Sequence, residues 1–96
     1  MAWVVLLTAN VHQKLKKIPR SIDAVFQFFL AEIRLSGPVQ VNWPNYGKLR
    51  ENCYHCHLQR GRPTYVAVWK VLSKKDKLIE VTYVGSHEKA RYERLC

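Results

Sequence analysis

Ninety-six residues, 48% of them hydrophobic and 24% charged, suit one packed domain spanning 1–96 and exclude both a disordered tail and a multidomain enzyme. Sixteen Lys and Arg against seven Asp and Glu leave a formal charge of +9, a field that selects polyanionic partners. Nucleic acid comes first among these, because neutralising its phosphates releases counterions. No stretch approaches the roughly 18 apolar residues of a membrane span, and the opening run lacks the flanks of a secretion signal. Three cysteines, Cys53, Cys56 and Cys96, cannot all pair within one chain, which favours a reducing cytoplasm over a secreted setting.

The first element, Trp3 to Thr8, is short, β-branched and apolar at nearly every position, the pattern of a central strand buried on both faces. Thr8 then serves as N-cap of a helix over Ala9 to Ile18, whose Val11, Leu15 and Ile18 recur at helical spacing. Pro19 ends it. Ser21 caps a second helix running to Ser36, with Ile22, Val25, Phe26, Phe29, Leu30 and Ile33 as its apolar stripe and Gly37-Pro38 as its stop. The two read as a helical hairpin. From Gly37 to Gly47 two prolines, two glycines and the absence of a period predict a loop.

Beyond it the period becomes two. Cys53 to Gln59, Thr64 to Leu72 and Leu78 to Val84 read as three strands of an antiparallel meander, separated by Arg60-Gly-Arg-Pro63 and by Ser73-Lys-Lys-Asp-Lys77. Gly85 to Cys96 is expected as a charged loop or a turn of helix. The order β-α-α-β-β-β predicts an α+β fold, a small antiparallel-rich sheet with an N-terminal helical hairpin packed on one face and the other face left for function.

Residues two apart in a strand share a face, so Tyr54, Cys56 and Leu58 form an apolar face and His55 and His57 lie together on the opposite one. Gly85-Ser-His-Glu-Lys-Ala-Arg-Tyr92 brings His87, Glu88, Lys89, Arg91 and Tyr92 to the end of the last strand. Cleaving an RNA phosphodiester without a metal takes a base for the 2′-hydroxyl, an acid for the departing 5′-oxygen and cations around the phosphate. Histidines and basic residues supply all three, since imidazole serves as acid or base near neutral pH. The same residues also fit an ordinary solvated surface. Cys53-x-x-Cys56-His57 has zinc-ligand residue types, but a regular strand turns the two cysteines to opposite faces and no second pair completes a site, so no metal and no cofactor are expected.

Basic residues cluster twice, at Lys14, Lys16, Lys17 and Arg20 and, around the histidine strand, at Lys48, Arg50, Arg60 and Arg62. Trp43, Tyr46 and Tyr92 are either stacking platforms for bases or anchors of their loops.

Leu15-Lys-Lys-Ile-Pro19, Gly47-Lys48-Leu49, Cys53-Tyr-His-Cys-His-Leu58 and Val84-Gly-Ser-His-Glu-Lys-Ala-Arg-Tyr92 together resemble, in order and over nearly the whole chain, the RelE/ParE superfamily of bacterial toxins, in its RelE/YafQ-like branch. The resemblance implies a single toxin domain of a type II toxin-antitoxin pair, with a cognate antitoxin, the ribosome and mRNA as partners. It also implies a metal-independent endoribonuclease in which the 2′-hydroxyl attacks its own phosphate to leave a 2′,3′-cyclic phosphate. Carried over, His55 and His57 fall where RelE has two strand lysines, His87 at an essential arginine or histidine, and Tyr92 one position from the family's tyrosine. Val66 stands where many members have a phosphate-binding arginine. Lys48, Arg60, Arg62, Lys70, Lys89 and Arg91 are the candidate phosphate contacts, His87 the candidate acid, and His55 or His57 the base. Two other functions share the fold: a ParE-like toxin that poisons gyrase, and a non-catalytic basic module that binds RNA.

Overall fold

The computed structural model describes residues 2–59, 61 and 63–96. Its elements are β1 (Val4–Leu7), α1 (Ala9–Leu15), α2 (Arg20–Ser36), β2 (Gly47–Arg50), β3 (Cys53–Gln59), β4 (Tyr65–Ser73), β5 (Leu78–Ser86), a 3₁₀ turn (His87–Lys89) and α3 (Tyr92–Leu95). The strands form one mixed sheet in the order β1-β5-β4-β3-β2, with β1 parallel to β5 and every other pair antiparallel. No helix among the described residues is long and apolar enough to cross a membrane.

Thr8 caps α1 as its position dictates, its hydroxyl accepting the Val11 N–H at 3.2 Å. The helix stops at Leu15, short of the expected Ile18, because the chain tightens into a turn before Pro19, with Lys17 N–H bonding Lys14 O at 2.9 Å. Ser21 does not cap α2. Pro19 occupies the N-cap, its fixed φ of −59° suiting the entry and its carbonyl accepting from Ile22 and Asp23, both at 3.0 Å. At the other end Gly37 takes φ +85° and donates to Ile33 O at 2.9 Å. A Cβ there would come within 2.7 Å of the Trp3 indole nitrogen, so both the dihedral and the close approach require glycine.

Helix α2 buries Ile22, Phe26, Phe29, Leu30 and Ile33 against one face of the sheet. Trp69 on β4 is fully buried in that core; Phe29 lies 4.9 Å from it, the Tyr46 and Tyr54 rings stack beside it, and its indole N–H donates to Pro38 O at 3.0 Å. Burying an indole of about 150–250 Å² at about 25 cal/mol/Å² contributes at most about 4–6 kcal/mol. Trp43 packs edge-on against Phe29 at 5.3 Å. Trp43 and Tyr46 are therefore loop anchors, and the loop they hold ends in a strand that the sequence reading did not contain. Gly-Lys-Leu-Arg is too short and too charged to signal β2, which exists because β3 offers it a partner.

The expected central position of β1 is wrong. The strand lies at the sheet's edge, with Trp3, Val5 and Leu7 turned to the core and Val4 and Leu6 54% and 44% exposed on the other face. An apolar residue at every position mimics a strand covered on both sides, and pattern alone cannot report that nothing covers one of them.

Candidate active site

The register across β3, β4 and β5 decides what shares the face opposite the helices. His55 pairs with Val68 and that with Tyr83; His57 pairs with Val66 and that with Gly85; Cys53 pairs with Lys70 and that with Glu80. Tyr54, Cys56 and Leu58 contribute to the helix-side core, so the period-two reading of β3 gave the correct face to both histidines.

Beyond β5, the His87 N–H donates to Thr64 O at 2.8 Å, which fixes the 3₁₀ turn beside the start of β4. The His57 N–H reaches Pro44 O at 2.7 Å and ties the aromatic loop to the same strand. These bonds bring four rings together. His57 and His87 stand 5.6 Å apart between centroids, His55 and Tyr92 5.5 Å, and His87 and Tyr92 6.2 Å.

His87 is exposed, while His55 and His57 are half-buried. Burial holds the His55 imidazole below its ordinary 6.5, and the like charges of His57 and His87 push the same way, so His55 is a neutral base at pH 7. Burial raises the Tyr92 phenol and neighbouring Tyr83 adds to it, so Tyr92 stays protonated. His55 Nδ1 and Tyr92 Oη are buried with no hydrogen-bond partner among the described residues.

The basic residues divide. Lys70 lies on the histidine face, one row from His55, and faces Glu80 at 3.8 Å. Lys89 and Arg91 are exposed on the segment that carries His87 and Tyr92. Lys48 pairs with Tyr54 and so belongs to the helix face, where it bonds Glu51 at 3.0 Å; it is not brought to the histidines. Arg60 and Arg62 lie outside the described residues. Glu88 forms no ion pair or hydrogen bond among the described residues.

Two features escaped the sequence reading. Tyr83 folds back over Gly85 and donates to Ser86 O at 2.8 Å; a Cβ on Gly85 would meet its hydroxyl at 2.7 Å. The lone glycine of β5, two residues after Tyr83, was the available signal. The other is a disulfide between Cys53 and Cys96, 43 residues apart. The expectation of a reducing compartment rested on an odd cysteine count, yet two of the three are joined, and the third, Cys56, is free and buried in the core. Burial pushes its thiol up to about 12.

A five-stranded mixed sheet with a helical hairpin on one face, and a polar face opposite carrying residues from β3 and the segment after the last strand, defines the RelE fold. No protein-family model and no curated protein matches the chain. Among solved structures, a mutant of the E. coli toxin RelE in its free state superposes with a TM-score of 0.71 at 22% identity, over 94% of this chain and 88% of that one. The isolated E. coli RelE toxin gives 0.65 at 18% identity, covering 97% and 93%. The archaeal RelE-RelB complex from Pyrococcus horikoshii OT3 gives 0.71 at 17% identity, covering 94% and 100%. At these identities the likeness is one of fold.

Proposed function

We propose that the protein is the toxin of a toxin-antitoxin pair and that it cleaves mRNA on the ribosome in the cytoplasm. The observation that carries this is the convergence of His55, His57, His87 and Tyr92 on one face, three imidazoles where phosphodiester transfer needs an acid and a base. In this reading neutral His55 or its neighbour His57 takes the 2′-hydroxyl proton. The freed oxygen attacks the adjacent phosphorus, and exposed His87 protonates the departing 5′-oxygen, leaving a 2′,3′-cyclic phosphate. Lys89 and Arg91, on the same segment as the acid, neutralise the phosphate in place of the arginine that Val66 lacks. Val66 itself is fully buried.

A partner antitoxin is part of the same reading. One of the similar structures is an archaeal RelE-RelB complex. On this chain, Ala24, Phe28, Ala31 and Leu35 line the outer side of α2 at helical spacing and are all exposed, Leu35 by 77%, and a charge of +9 complements an acidic amphipathic segment.

The test is His87→Ala beside the wild type in a translating extract, with 5′ ends mapped on a reporter mRNA by primer extension. Loss of a general acid lowers cleavage by about 10²–10⁴-fold. Cleavage by the variant at the wild-type rate removes His87 from the site. A folded wild type that binds RNA without cutting it supports instead the non-catalytic module, the reading that the buried Val66 favours.

A further inference from the structure

The histidine face is not open at its centre. Val66 and Val68 point away from the helix-side core, yet both are fully buried; α3 packs against β4, with its Tyr92 on His55, the cross-strand neighbour of Val68. What holds α3 down is slight. It has four residues, no side-chain cap and no fully buried residue. Among the described residues, the Tyr92 ring lies on His55 and His87, and Leu95 lines a cavity of about 330 Å³ between α1 and β5. The one covalent tether is the bridge from Cys96 to Cys53, which stands one row from His55 on the same face.

We propose that the Cys53–Cys96 disulfide is a redox-operated clasp: oxidised, it shuts segment 90–96 over Val66 and Val68 and presses Tyr92 onto His55; reduced, it lets the segment lift and opens that face to substrate. Two buried polar atoms without partners among the described residues, His55 Nδ1 and Tyr92 Oη, mark the closed form as one that shuts off the groups it covers. The clasp is a property of the fold; that it gates catalysis rests on the function proposed above.

A dithiol carries out the opening. Cys53 is 2% exposed and Cys96 half-buried, so one thiolate of the reductant attacks Cys96 Sγ and expels the Cys53 thiolate. The reductant's second thiolate then attacks its own sulfur in the mixed disulfide and releases Cys96. Two electrons pass to the protein, the reductant leaves as a cyclic disulfide, and each cysteine takes a proton. Cys56 cannot intervene, since it faces the core on the other side of β3.

The experiment compares the full chain oxidised and after dithiothreitol, by hydrogen exchange and by the titration of the His55 ring protons. The groups around His55 are His57 on its own strand, Tyr83 beyond Val68, His87 and Tyr92, with Lys70, Glu80 and Arg50 in the row of Cys53; none of them is altered by the reductant. Reduction is expected to speed exchange across 90–96 on the order of tenfold or more and to move the His55 midpoint upward as water reaches it. Cys96→Ser in oxidising buffer should match reduced wild type, and Cys56→Ser should stay closed. Unchanged exchange and an unchanged midpoint overturn the clasp. A clear opening with equal RNA cleavage by both forms overturns the gating. Absence of cleavage by either form counts against the proposed function, while exchange and titration still decide the clasp.

Discussion

His55 shows how one side chain connects environment to chemistry. Burial is the largest cause of its lowered pKa, so the neutral ring is favoured in the fold and the unfolded chain binds the proton more readily. Its contribution to stability is therefore complete above the unfolded value near 6.5 and is lost as pH falls through the lower folded value. Urea midpoints should drop on going from pH 7.5 to pH 5, and His55→Gln should flatten that drop; an equal drop in the variant assigns it to other groups. The face on which His55 stands follows from β-strand alternation and was legible in Cys53-Tyr-His-Cys-His-Leu58. Its contact with Tyr92 was not, because 37 residues separate them and only the docking of α3 joins them.

At the level of elements, α2 carries its own instructions and β1 does not. The stripe from Ile22 to Ile33 and the glycine stop locate the helix in the sequence, and the structure adds only that Pro19 rather than Ser21 begins it. Gly37→Ala should be costly, since it combines φ +85° with a side chain driven into the Trp3 indole. A loss of about 1–3 kcal/mol, read from denaturant midpoints, is expected, and a loss below about 0.5 kcal/mol would mean that Trp3 moves aside freely. Strands β1 and β2 are the elements misread or missed, and both are edges. An edge strand is defined by the neighbour it has on one side and lacks on the other, which is not a local property of four residues.

For the whole molecule, +9 on so small a surface means that the RNA binding proposed above would be dominated by phosphate contacts. The logarithm of the association constant for a single-stranded RNA should fall linearly with log salt, with a slope of about −0.7 for each phosphate neutralised; Lys89→Ala and Arg91→Ala should each reduce the steepness by one such unit. A slope that neither substitution changes would place the contact elsewhere, with the lysines of α1 the next to test. Composition, charge, the helical hairpin, the three-strand meander and the face of His55 and His57 were determined by the sequence alone, because each depends on local spacing or on a sum over residues. Tertiary structure alone decided that β1 is an edge, that Lys48 belongs to the wrong face for the histidines, that Val66 and Val68 are covered, and that Cys53 meets Cys96. Those outcomes depend on strand order and on contacts across tens of residues, and no periodicity within a segment encodes which distant segment will lie beside it.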